Sequence, residues 1–271
     1  VIPEGKILFH DKNGSSVDIA KLDPWGKEIK SIRGNDISMI FQEPMTAFSP
    51  VYSIGNQIME AILLHQKVDK SEAKKIAVEF LLKVGIPNAD LRIDAYPYEM
   101  SGGMRQRAMI AMALCCHPSL LIADEPTTAL DVTIQAQILD LMVSLQKEIG
   151  MSIMLITHDL GVIAETADKV AVMYLGKIVE EASVNDIFHN PAHPYTQALL
   201  DSIPRVEEKR EEWLTTIKGF VPDLYNIPSG CAFHPRCSKY MKGVCNKIKP
   251  HSIEIEEEHT VSCLLYQKDS K

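Results

Sequence analysis

The sequence has no apolar run long enough to cross a bilayer. Its longest, Ala108 to Cys116, spans nine residues, far short of the ~20 that a membrane-spanning helix needs. It begins Val1-Ile2-Pro3-Glu4-Gly5, with no basic stretch leading into an apolar one, so no secretory signal is visible. A chain lacking both is expected in the cytoplasm. There is no surplus of basic residues either. The formal net charge is −8, which argues against a nucleic-acid partner, because a phosphate-binding face usually shows as an excess of Lys and Arg. Internal repeats are absent.

What is present is ordinary for a globular protein. The 271 residues are 46% hydrophobic and 24% charged, enough for one large domain or a domain with an appendage. Lys6–Phe9 reads as a strand followed by turn chemistry at Asp11-Lys12-Asn13-Gly14, and Ser38–Phe41 as a second strand. From Ile54 to Glu99 the pattern is helical: Ile58, Ile62 and His65 share a face, as do Ile76, Phe80 and Val84. A helix through Leu114 follows Ser101-Gly102-Gly103. Then come a strand at Leu120–Ala123, a helix over Thr133–Glu148, and strands at Ser152–Ile156 and Val170–Met173. This alternation predicts an α/β domain with a largely parallel sheet. The charged Glu207–Glu212 stretch reads as a solvated helix or linker. A small module rich in proline and cysteine comes after it.

Open α/β sheets bind ligands at the carboxyl ends of their strands. Three predicted strands end in polar residues: Gln42, the pair Asp124-Glu125, and His158. A carboxylate after an apolar strand suits Mg²⁺ beside a phosphate chain. A second one next to it suits orienting and deprotonating a water. A histidine at the neighbouring strand end suits contact with the terminal phosphate or that water. In Ser101-Gly102-Gly103, serine is a favoured helix N-cap and glycine lets a phosphate approach the backbone.

Taken singly, each feature has a plain structural alternative. Asp124-Glu125 suits a solvated strand end, His158 a helix cap and Ser101-Gly102-Gly103 a turn. Asp131 suits the N-cap of the next helix. The ordered set is more specific. Met100-Ser101-Gly102-Gly103-Met104-Arg105-Gln106-Arg107 resembles the signature motif of ATP-binding-cassette ATPases. Leu120–Glu125 is similar to their Walker B strand, Ala129-Leu130-Asp131 to the D-loop, His158 to the switch histidine and Gln42 to the Q-loop glutamine. Phe41-Gln42-Glu43-Pro44-Met45 and His193-Pro194-Tyr195-Thr196-Gln197-Ala198-Leu199 look like the dipeptide and oligopeptide importer branch, across essentially the whole chain.

The resemblance implies a P-loop-like nucleotide-binding domain over 1–204, with a helical subdomain at about 45–100 and an importer-type extension over 205–271. It implies ATP and Mg²⁺. Glu125 would be the general base, Asp124 the Mg²⁺ ligand through water with Gln42 also near the metal, and His158 the γ-phosphate sensor. Gln42 would also link hydrolysis to the membrane subunits. Ser101, Gly102 and Gly103 would meet ATP held by an opposite subunit, with Gln106 and Asp131 completing the nucleotide contacts. The implied partners are a second, non-identical ATPase subunit, two permeases and, indirectly, an extracellular peptide-binding protein. The implied place is the cytoplasmic face of the membrane.

One departure from the family is serious. A phosphate-cradling loop needs Gly-x-x-x-x-Gly-Lys followed by Ser or Thr. The Gly-Lys pairs here, at Gly5, Gly26 and Gly176, are followed by Ile, Glu and Ile. The chain is therefore expected to be truncated at its start and inactive alone. Met100 and Met104 also replace the Leu and Gln of the general signature.

Four of the six cysteines, Cys231, Cys237, Cys245 and Cys263, fall late, spaced C-x5-C-x7-C-x17-C. Four thiolates suit a [4Fe–4S] cluster or Zn²⁺. The close pairs of zinc modules are missing, and the pattern resembles the cluster site of some peptide-importer ATPases, so the cluster is preferred and zinc is the alternative. His234 and His251 are further candidate ligands, more simply read as surface residues. Cys115 and Cys116 read as core. Two other functions fit less well: a non-transport cassette ATPase acting on nucleic acid or ribosomes, and a redox or iron sensor built on a degenerate ATPase.

Overall fold

The computed structural model describes residues 4–10, 14–42, 47–128, 130–203 and 216–267. Asp11–Asn13, Glu43-Pro44-Met45, Ala129, Glu207–Glu212 and the expected boundary at 204/205 lie outside the described residues. The chain forms two compact units, Val1–His158 and Asp159–Lys271.

The first unit opens with an antiparallel hairpin of β1 (Leu8–His10) and β2 (Ser16–Asp18). A short helix, α1 (Lys27–Ile32), precedes β3 (Ile37–Ile40). Among the described residues, α2 (Ile54–His65), α3 (Lys70–Lys83) and the single turn α4 (Ala89–Arg92) follow. Ser53 caps α2 by accepting from the Asn56 N–H, and Asp69 caps α3 by accepting from the Glu72 N–H. These are the short polar side chains that satisfy orphan donors at a helix start. Ile54, Ile58 and Ile62, spaced four apart, are wholly buried, as are Ala73, Ala77 and Leu81 of α3. Gly55 is required by packing. Its N–H donates to the Ile93 carbonyl at 2.7 Å, and a Cβ there would collide with Ile93.

α5 (Gly102–Leu114) packs on α2, α3 and β3. Met109, Ile110 and Leu114 are essentially inaccessible, each stabilising the fold by about 2 kcal/mol relative to exposure. β4 (Leu120–Asp124), α6 (Val132–Ile149) and β5 (Ser152–Ile156) complete the unit. β3, β4 and β5 form a parallel sheet with β4 in the middle. Leu121 and Ala123 of β4 are wholly buried. Cys115 belongs to this core, and Cys116 packs half-buried at its edge.

The second unit holds α7 (Leu160–Thr166), β6 (Lys169–Tyr174), β7 (Lys177–Ser183), α8 (Val184–His189), α9 (Pro194–Asp201), β8 (Ile253–Glu256) and β9 (His259–Val261). Its sheet is antiparallel, in the order β6-β7-β9-β8. Val170–Met173, read from sequence in series with the parallel strands, belongs to this sheet instead. The cause is the turn after it. Leu175 and Gly176 have φ of 46° and 73°, the doubly left-handed backbone that reverses a chain in two residues and matches strand twist.

Candidate functional site

The parallel register brings three strand ends together. Ile40 pairs with Ala123, and Asp124 pairs with Ile156. The Glu125 N–H donates to the Ile156 carbonyl at 2.9 Å, so the ladder runs one residue past β4. Glu125 then turns sharply, with φ 44°, a strained conformation for a residue other than glycine.

Its carboxylate collects donors from both flanking strand ends. Gln42 Nε2 donates to Oε2 at 2.9 Å, and the Thr128 hydroxyl donates to the same oxygen at 2.9 Å. His158 Nδ1 lies 3.0 Å from Oε1. The His158 side chain is 80% exposed and that of Glu125 22%. The Glu125 carboxyl is held below the usual glutamate range, first by the His158 hydrogen bond, then by Thr128 and Gln42, against the opposing effect of partial burial. A carboxylate that stays ionised at an open edge can orient a water and accept its proton.

Asp124 ends β4 half-buried, beside this cluster in sequence. Mg²⁺ keeps several waters and takes one or two carboxylates plus substrate phosphates. Asp124 with the Gln42 amide is a donor set of that kind.

The remaining predicted residues are disposed differently. Ser101 caps α5, its hydroxyl accepting from the Met104 N–H at 3.3 Å. Gly102 is open: a Cβ built on it meets no atom within 4 Å, so the packing of this chain does not demand glycine there. Asp131 caps α6 by accepting from the Ile134 N–H at 3.0 Å, and Ala129 of the same motif is outside the described residues. Gln106, expected to contact nucleotide, is wholly buried, and its Nε2 donates to the Pro126 carbonyl. Hydrogen-bonded inward, it presents nothing to a ligand. Thr128 was missed in the sequence. The Pro126-Thr127-Thr128 turn after a strand-end carboxylate was the available signal.

In the second unit, Cys231, Cys237, Cys245 and Cys263 all line one small cavity with His193 and Phe233. All four are free thiols. Burial raises the thiol pKa of Cys231 and Cys237, and that of Cys263 to about 11. Among the described residues no three His, Cys, Asp or Glu side chains stand close enough to hold a metal ion. Zinc and an iron–sulfur cluster alike need thiolates gathered about one centre, and the described residues do not gather them here. His234 Nδ1 is engaged with the Cys231 carbonyl at 2.9 Å, and His251 is exposed.

A buried carboxylate with no distinguishing mark in the sequence, Glu180, holds the backbone of His193, which lines that cavity. Glu180, 0% exposed, accepts from the Ala192 N–H at 2.6 Å, the His193 N–H at 2.9 Å and His259 Nε2 at 2.8 Å. His193 Nδ1 in turn accepts from the Tyr195 N–H at 3.0 Å. Burial lowers the His193 pKa to about 4, leaving the ring neutral.

Two family models match the chain: ABC transporter over residues 3–128, and the oligopeptide/dipeptide transporter C-terminal region over residues 179–245. The dipeptide transport ATP-binding protein DppD of Bacillus subtilis is 50% identical over 97% of this chain and 76% of its own length. The oligopeptide transport ATP-binding protein OppD of the same organism is 52% identical over 98% of this chain and 72% of its own length. Among solved structures, the dimeric ATP-binding cassette MJ0796 in a post-hydrolysis state bound to ADP and Pi aligns with TM-score 0.55 and 25% identity, over 62% of this chain and 70% of that one.

Proposed function

Since the chain belongs to the ABC transporter family, we propose that it is the ATP-hydrolysing subunit of an importer for dipeptides or oligopeptides, with the following division of labour. Glu125 is the general base. Its ionised carboxylate aligns a water and takes its proton as the water oxygen bonds to the γ-phosphorus and the bond to the ADP oxygen breaks. His158 shares Glu125 and reaches solvent, where a γ-phosphate would stand. Asp124 and Gln42 are the Mg²⁺ donors. The metal, when bound, supplies charge neutralisation along the phosphates.

The three side chains converging on Glu125 are the observation that carries this reading. Two come from the strands on either side of β4, so the edge is assembled by the sheet rather than by one loop. Ser101, Gly102 and Gly103 face nucleotide held by a second ATPase subunit, non-identical to this one. Asp131 lies at the same boundary. Gln42, leaving β3 for the helical subdomain, connects hydrolysis to two permeases. Among the described residues no helix is long and apolar enough to cross a membrane, so contact with the membrane runs through those permeases, at its cytoplasmic face. The extracellular binding protein is an indirect partner.

The four late cysteines hold a [4Fe–4S] cluster. Their free state and their shared cavity support a bound group, and their spacing along the sequence, without the close pairs of zinc modules, favours a cluster over zinc.

The test is Glu125→Gln in the importer assembled with its permeases. Hydrolysis is expected to fall by about 10²-fold or more with ATP binding kept. Wild-type turnover in that variant would refute the assignment.

A further inference from the structure

The inside of α5 contains a polar residue with no evident structural purpose. Gln106 is wholly buried, next to Ala108, Met109, Ile110 and Ala111, all equally buried. Its Nε2 binds the Pro126 carbonyl, across twenty residues of chain, while its Oε1 has no hydrogen-bond partner among the described residues. A buried acceptor left unmade costs about 1–3 kcal/mol, and an apolar residue would trade that cost for a Pro126 carbonyl without its donor.

What the amide grips is more telling. Pro126 directly follows Glu125, whose backbone is left-handed. The turn is fixed on one side by the Glu125 N–H on the Ile156 carbonyl, and closed by the Thr128 N–H on the Glu125 carbonyl at 3.1 Å. The Pro126 carbonyl is a further backbone handle on the turn, and α5 holds it. The same helix is capped by the Ser101 hydroxyl and begins at Gly102, where an added Cβ would meet open space. One element thus carries both the Ser101–Gly103 helix start and the amide that holds the turn bearing Glu125.

We propose that Gln106 is a positioning residue: through the Pro126 carbonyl it couples the Ser101–Gly103 turn to the orientation of the Glu125 carboxylate. This rests on the reading of Glu125 as base and of Ser101–Gly103 as facing the opposite subunit's nucleotide. A nucleotide that draws α5 toward the partner moves the Pro126 carbonyl with it. Occupancy of one half-site thereby sets the hydrolytic competence of the other.

The experiment uses the assembled importer in membranes, with Gln106→Met, Gln106→Glu and Glu125→Gln. In Gln106→Met the donor is lost at nearly constant shape. Its kcat is expected to fall about 10- to 100-fold, as for a misplaced catalytic group, with KM for ATP within about twofold of wild type and the cooperativity of hydrolysis in ATP diminished. In Gln106→Glu, burial raises the carboxyl pKa. Its protonated form restores a donor to Pro126, so its rate relative to wild type is expected to climb as pH falls. A bare packing role would titrate stability together with rate, so rescue of kcat and cooperativity at a pH where the melting temperature already equals that of wild type is the mark of the coupling. If Gln106→Met does not assemble, the Gln106→Glu pH series decides alone. A folded Gln106→Met with wild-type kcat and cooperativity, or a flat Gln106→Glu ratio across pH, overturns the coupling. Wild-type turnover in Glu125→Gln overturns the underlying reading instead, so the two failures are told apart.

Discussion

His259 Nε2 meets the Glu180 carboxylate at 2.8 Å where neither side chain reaches solvent, at 2% and 0% exposure. That contact joins β9 to β7, and the same carboxylate holds the chain at Ala192 and His193. It is a polar anchor inside the cysteine-bearing unit.

Removing this anchor strands three donors in a dry site. Glu180→Ala is expected to destabilise the protein by about 3–5 kcal/mol, the cost of breaking a buried pair from one side. Glu180→Gln, which keeps an acceptor oxygen, should lose less. Urea denaturation followed by tryptophan fluorescence measures both. A Glu180→Ala loss below about 1 kcal/mol would show that water replaces the carboxylate.

The carboxyl of Glu125 should titrate in a ranked way. His158 is the strongest influence lowering its pKa, followed by Thr128 and then Gln42. In metal- and nucleotide-free protein, carboxyl-carbon NMR should therefore show the pKa rising furthest in His158→Ala, less in Thr128→Val and least in Gln42→Ala. The sign is that of a depressed acid. The group favours folding above its unfolded pKa, and that favour fades as pH falls through the lower folded value. An unshifted pKa in His158→Ala would contradict the hydrogen bond.

Anaerobically purified protein is expected to be brown, with iron and acid-labile sulfide in equal amounts. Substituting Ser for Cys231, Cys237, Cys245 or Cys263 should each bleach it. Colourless protein with stoichiometric zinc would exclude the cluster.

Two glycines should behave oppositely. Gly55→Ala drives a methyl into Ile93 and should destabilise by about 1–3 kcal/mol. Gly102→Ala meets open space and should change stability by less than about 0.5 kcal/mol, while slowing hydrolysis in the assembled importer by crowding the partner's nucleotide. Thermal melts and turnover, run on both variants, check the contrast.

Much of the candidate edge is legible because its logic is local. An apolar strand that stops at a polar residue is visible in the sequence, and Gln42, Asp124, Glu125 and His158 become specific only as an ordered set. Ser101 and Asp131 were legible as caps for the same reason. What was hidden depends on three-dimensional partners. Gln106 looks like one more polar residue of an arginine-rich turn, and only helix phase relative to the sheet turns it inward. Glu180 lies in Val179-Glu180-Glu181, and nothing local says which carboxylate is buried. Their fates differ, since Glu180 is sealed and Glu181 pairs with Lys169 at 3.2 Å. The switch to an antiparallel sheet turned on Leu175, a residue whose side chain gives no hint of left-handed backbone.

The alignment of β5 on β4 has a consequence for how this protein must be judged. Side chains alternate faces along a strand, so an offset of a single residue between these neighbours would carry His158 away from Glu125. A molecule that closed with that offset would keep its helices, its compactness and most of its buried surface. Circular dichroism and gel filtration would pass it as sound, yet it would be chemically mute. Quality control of this protein is therefore a matter of turnover, and shape is no substitute.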